Sequence, residues 1–240
     1  MQERAFLVVS PHFDDAALSC GHWLTRHPRA VVATVCSGKP GVGVPPCSWD
    51  AGSGFRSADA AANGRRAEDE AAMSVVGAQQ RLLGFLDVEY RLAIGRQHED
   101  PVIRGSFERL LAASIGNLID DLSPEQCLAP LGLHHTDHVA TGRATRTALW
   151  DRPGCQAIAY ADLPYAITFP RTVTQKLEEI RAEGWRIAEC PMPLPSSVDP
   201  KRQMVSCYGS QLRLLRRSRR KWRAALRLGA ERFWQLTPEG

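Results

Sequence analysis

The sequence predicts an α/β fold: a Rossmann-like three-layer sandwich with a mainly parallel sheet and active-site loops at the strand carboxyl ends. Three observations predict it. Short apolar runs without alternation, such as Ala5-Phe6-Leu7-Val8-Val9 and residues 30–36, read as strands buried on both faces. Helical patterns separate the strand-like runs, the order that parallel connections require. Loops loaded with His and Asp follow strands, on the edge where open α/β sheets bind ligands. At 240 residues and 26.5 kDa the chain is long enough for one two-sided core, and a single domain over 1–240 is expected.

The elements follow in order. The first run ends on Ser10-Pro11-His12-Phe13-Asp14-Asp15. Over 14–26, Ala17, Leu18, Gly21 and Leu24 recur near helical spacing, with the aspartates at the turn where a helix favours negative charge. Residues 30–36 form the second strand, and the Gly-, Pro- and Ser-dense stretch 37–57 leaves its carboxyl end as a candidate wall of a site. Residues 58–76 read as an Ala-rich helix stopped by Gly77, with Arg65, Arg66, Glu68, Asp69 and Glu70 on its polar face. A strand at 80–85 precedes an amphipathic helix at 107–122 with Leu110, Leu111, Ile115, Leu118 and Ile119 inward. The strand at 127–130 opens onto Leu131-Gly132-Leu133-His134-His135-Thr136-Asp137-His138, and a helix at 139–149 follows. Strands at 157–160 and 185–189 flank a helix at 173–182. The stretch from 199 to about 233 reads as one basic helix, with Leu212, Leu215, Trp222, Leu226, Phe233 and Trp234 as its apolar stripe.

Composition excludes several classes. Lys+Arg 30 against Asp+Glu 26 leaves a net charge of +4, too little to require a nucleic-acid or membrane partner. The cations between Arg213 and Arg232 read as a solvated helix face, so no nucleic acid is expected, and a polyanion binder on an inactive scaffold is the competing reading from another class. Seven cysteines, odd in number and without a Cys-x-x-Cys pair, point to reduced thiols rather than a disulfide framework. No apolar window is long enough for a membrane span, and no signal-peptide pattern opens the chain, so a cytoplasmic protein is expected. No Gly-x-Gly-x-x-Gly follows the first strand, so a dinucleotide is not implied. A homo-oligomer is left open.

The two histidine motifs carry the chemistry. Both follow strands, so a parallel sheet brings them to one edge across a long sequence gap. His12, one of Asp14 or Asp15, and one of His134, His135 or His138 make the three-ligand set of a catalytic zinc site, a set that ferrous iron also uses. The adjacent aspartates allow one to bind metal and the other to accept a proton from water activated by that metal. A spare histidine, if protonated, stabilises the oxyanion formed when water attacks a carbonyl, and Asp137 is placed to orient it.

At these residues the chain resembles the PIG-L (LmbE-like) family of zinc-dependent de-N-acetylases, whose motifs are Pro-His-Pro-Asp-Asp-Glu and His-x-Asp-His. The resemblance also covers Arg65-Arg66-Ala67-Glu68 with Ala71, Ala72 and Gly77, then Tyr160-Ala161-Asp162-Leu163-Pro164-Tyr165, and Lys201 with Tyr208-Gly209-Ser210-Gln211, in the family's order. It implies that His12, Asp15 and His138 bind zinc, that Asp14 is the general base, that His135 stabilises the oxyanion with Asp137 behind it, and that Arg65 contacts substrate. His134 matches no family position. Phe13 and Ala16 depart from the motif, standing where the family has Pro and Glu. The implied activity is removal of an N-acetyl group from a small molecule, an amino sugar or glycoside of secondary-metabolite or thiol-cofactor biosynthesis. Hydrolysis of another amide or a carbamoyl group is the alternative.

Overall fold

In the computed structural model, residues 5–93, 101–191, 197–215, 226–227 and 230–239 are described. The apolar runs become strands β1 (Phe6–Ser10), β2 (Val31–Thr34), β3 (Gln79–Leu82), β4 (Gln126–Pro130), β5 (Gln156–Tyr160), β6 (Trp185–Cys190) and β7 (Phe233–Pro238). Between them lie α1 (Asp15–Leu24), α2 (Ser48–Gly52), α3 (Ala58–Val76), α4 (Val88–Ala93), α5 (Pro101–Leu122), α6 (Thr136–Trp150), α7 (Tyr165–Thr168), α8 (Pro170–Ala182), α9 (Asp199–Ser206) and α10 (Gly209–Leu215). The strands form one sheet in the order β3-β2-β1-β4-β5-β7-β6. Pairing is parallel from β3 through β5 and antiparallel where β7 meets β5 and β6.

The absence of alternation in β1 has the expected cause. Leu7 and Val9 point into one apolar layer with Leu111 and Ile115 of α5 and Ala144 of α6. Val8 points into the other, against Leu24 of α1, Met73 of α3 and Met204 of α9. Both faces are covered, so the strand is apolar from Phe6 to Val9 without alternation. Gly77 ends α3 in the left-handed conformation at φ 70°, where a residue without Cβ is unstrained. Leu110 is corrected: it is 66% exposed, one position round the helix from the buried Leu111.

The C-terminal expectation is also corrected. The helical pattern from Asp199 breaks at Cys207 and Tyr208 into α9 and α10, and the chain returns as β7, so Phe233 and Trp234 are buried strand residues. Trp222 and the cations at 216–223 lie outside the described residues. Apolar residues at helical spacing and in a short strand look alike in a run this short, which explains the misreading. All seven cysteines are free thiols.

One buried ion pair ties this region to the front of the fold. Lys201 Nζ donates to Glu231 Oε1 at 2.7 Å, and both side chains are almost fully buried. Glu231 also accepts the backbone N–H groups of His22 and Trp23 at the end of α1. Glu231→Ala strands a buried ammonium and two buried amides, so a loss of about 3–5 kcal/mol is expected in urea unfolding, with Glu231→Gln losing less.

Candidate active site

The sheet reverses its winding between β1 and β4: β2 and β3 lie to one side, β5, β7 and β6 to the other. The crevice at the strand carboxyl ends there is where open α/β sheets take ligands. His12, Asp14 and Asp15 come from the turn joining β1 to α1, and His135, Asp137 and His138 from the start of α6. Ser10 shapes the first turn. Its hydroxyl donates to the His12 carbonyl at 2.6 Å and accepts the Ala16 N–H at 3.1 Å.

Asp15 stands at the centre. Its Oδ2 lies 3.2 Å from His12 Nδ1 and 3.1 Å from His138 Nε2, and accepts the His12 N–H at 2.9 Å. The far nitrogen of each imidazole faces another carboxylate: His12 Nε2 is 3.1 Å from Asp137 and 3.3 Å from Asp87, and His138 Nδ1 is 2.6 Å from Asp162. Asp162 is itself fixed by the N–H groups of Gly132 and Leu133. Such partners set the tautomer and direction of histidines that bind metals.

The electrostatics follow from burial and these neighbours. Burial opposes the charge on His138, yet Asp15 and Asp162 raise its pKa to about 9. Burial likewise opposes charge on His12, while Cys36, Asp137, Asp15 and Asp87 hold it well above the ordinary imidazole value. For Asp15, burial is outweighed by His138 and His12, which keep its carboxyl below the usual range. Asp14 moves the opposite way: burial first, then the neighbouring Asp15, raise its pKa.

His12, Asp14, Asp15, Arg65, His135 and His138 line one cavity of about 310 Å³. His12, His135 and His138 also bring ring nitrogens within 4.8 Å of one another. Arg65 faces the cavity while Arg66 is exposed on the helix.

Asp137 is corrected. Its carboxylate is not hydrogen-bonded to His135, which lies 4.0 Å away, but to His12, the Val88 N–H and Arg91. His135 caps α6 and accepts the Asp137 N–H on Nδ1 at 3.2 Å, which places its remaining ring proton on Nε2. Burial, then the charges of His12 and His138, lower its pKa to about 4, which favours the neutral imidazole over the protonated one. His134 takes φ 64° and stacks on Phe169 with centroids 4.6 Å apart.

Sequence reasoning missed Asp87 and Arg91 and named Asp162 only within a motif. Asp87 follows β3, and a carboxylate after a strand on the ligand edge was the available signal. The remaining motif residues form a clasp behind the site: Tyr208 donates to Asp69 at 2.6 Å, and Ser210 gives Glu68 both its N–H and its hydroxyl.

A doubly wound sheet whose switch point gathers histidines and carboxylates able to hold a metal ion, beside a further carboxylate of raised pKa, has the make-up of a hydrolase site. The chain belongs to the GlcNAc-PI de-N-acetylase (PIG-L) family, whose model matches residues 7–149. It is an N-deacetylase. It is 29% identical over 98% of its length to 2'-N-acetylparomamine deacetylase of Streptomyces fradiae, covering 90% of that protein. Among solved structures it is similar to the zinc-inhibited form of teicoplanin deacetylase, at 25% identity and TM-score 0.75, with 98% of each chain covered. A deacetylase–teicoplanin complex matches at the same identity and TM-score, over 98% of this chain and 99% of that one. Among the described residues no helix is long and apolar enough to cross a membrane.

Proposed function

We propose that this deacetylase releases the free amine from an N-acetylated amino sugar or glycoside of secondary metabolism, using zinc held by His12, Asp15 and His138. The observation that carries the reading is the Asp15 carboxylate set between two imidazoles, each backed by a further carboxylate. That donor set fits a catalytic zinc ion, and ferrous iron is served by the same groups. When bound, the metal supplies Lewis acidity toward water and the amide carbonyl.

The chain's own residues do the rest. Asp14, a carboxylate made more basic by burial and by Asp15, takes a proton from the attacking water and passes it to the departing amine. His135 donates a hydrogen bond from its Nε2–H to the carbonyl oxygen as negative charge grows there. Arg65 holds the substrate: it lines the cavity, and its buried Nε has no hydrogen-bond partner among the described residues. Asp137 positions His12. The free thiols support a reducing compartment such as the cytoplasm as its place of work. The relatives that act on 2'-N-acetylparomamine and teicoplanin support the substrate class.

The test is amine release by zinc-loaded protein from a panel of N-acetylated amino sugars, read by a primary-amine label. Release from at least one glycoside is expected, whereas release confined to non-sugar amides or carbamoyl compounds overturns the substrate class.

A further inference from the structure

One wall of the cavity takes no part in the chemistry above. Trp49 of α2 and Glu89 of α4 line the same cavity as the site, with Gln211 of α10 beside them and Tyr165 among the opposing residues. Trp49 is 41% exposed, an unusual state for an indole inside a concave surface. Its ring is fixed: Nε1 donates to Gln211 Oε1 at 2.8 Å, the Gln211 amide donates to Ser210, and Ser210 is anchored on Glu68. A held aromatic face in a polar cleft matches the C–H face of a sugar ring, which buries apolar area there without losing hydroxyl contacts.

Glu89 supplies the charge. Asp15 and Asp87 sit against His12, and Asp15 also against His138, while the field of Arg65 acts on Asp14. Glu89 is exposed and has no ion pair among the described residues. Its place at the cavity is set by its own N–H, which donates at 2.9 Å to Asp87, the carboxylate that touches His12. At the mouth Glu89 therefore presents an exposed negative charge with no ion pair among the described residues, on a short helix tied to the reaction centre.

We infer that Glu89 and Trp49 make a specificity subsite for a second sugar ring carrying a protonated amine, so that the preferred substrate is an oligo-amino sugar with one acetamide and a free ammonium group. The inference rests on the amide-hydrolase reading of the cavity, and its test is kept separate by reading binding instead of turnover. Two disaccharides share the same acetamido ring and differ only in an amine or a hydroxyl on the second ring. Their Kd values are measured by calorimetry on zinc-loaded Asp14→Asn protein at pH 6.5 and low salt, where the amine is protonated and turnover is blocked.

The amine-bearing disaccharide is expected to bind at least about ten-fold more tightly, with the preference shrinking in 0.5 M NaCl as the charge is screened. Adding Glu89→Gln should remove most of that preference while leaving the hydroxyl compound's Kd unchanged. Glu89 is exposed, so this change leaves the fold intact. Adding Trp49→Ala should weaken both compounds, by about ten-fold for the hydroxyl compound, since the sugar C–H face that stacks is common to the two. Equal affinities in the starting protein, or a preference that survives Glu89→Gln, overturns the inference. If both sugars bind as expected and wild-type protein hydrolyses neither, the proposed amino-sugar substrate fails and the subsite stands.

Discussion

Asp14→Asn is expected to lower kcat by about 10²- to 10⁴-fold, the range that positioned acid–base groups contribute, with zinc content unchanged. The separation between the two effects is the point of the experiment. Asp14 and Asp15 are adjacent in sequence, the first half-buried and the second buried, and their environments push them apart: Asp15 is held ionised by His12 and His138, Asp14 is made more basic by desolvation and by Asp15 itself. A pair with opposed shifts is how one site keeps a permanent anion and a working base together. In the wild type, kcat/KM should fall on the acid side through a pKa above the ordinary carboxylate range, because protonated Asp14 has no capacity left to accept a proton from water. A variant that keeps full activity, or that loses zinc in parallel with activity, assigns the proton transfer to another group.

His138→Ala is expected to abolish stoichiometric zinc binding and activity together, read by atomic absorption after dialysis against metal-free buffer. In the wild type, metal affinity should rise with pH from 6 to about 9. Without metal, His138 is protonated up to about 9 and His12 stays protonated well above its usual value, so each proton must leave before a lone pair is available. The same His138 proton stabilises the metal-free fold most at and below the unfolded value of 6.5, and that contribution is lost as the pH climbs through about 9. Metal-free protein should therefore become less stable over the interval in which it binds zinc more tightly. An affinity that is flat with pH, or His138→Ala protein that retains one zinc, places the ion elsewhere.

The fold and the centre of the site were legible for one reason: each depends on a local pattern placed at a strand end. Residues 6–9 had to be apolar throughout because both faces of β1 are covered, and His12-x-Asp14-Asp15 had to follow because the β1–α1 turn opens on the crevice. What the chain could not show is which partner a buried carboxylate turns to across the molecule. Asp137 is two residues from His135 and was assigned to it; its true partners are His12 from β1–α1 and Arg91 from α4, brought there only by the folded sheet. Asp87 escaped for the same reason. The C-terminal misreading differs in kind, since the apolar spacing from Leu226 to Trp234 fits helix and strand alike and sheet pairing decides it.

The position of β7 has a consequence for how the molecule is assembled. Its backbone is the ladder to which β6 is bonded, so β6 waits for a strand made more than forty residues later before its pairing is satisfied. Glu231, just ahead of β7, then locks onto Lys201 and the end of α1, the helix that begins at Asp15. Closure of the sheet and anchoring of the far end of α1 thus fall in the same stretch of chain. A nascent chain lacking its last strand therefore carries both histidine motifs before β6 has its ladder and before Lys201 and the end of α1 have their shared carboxylate.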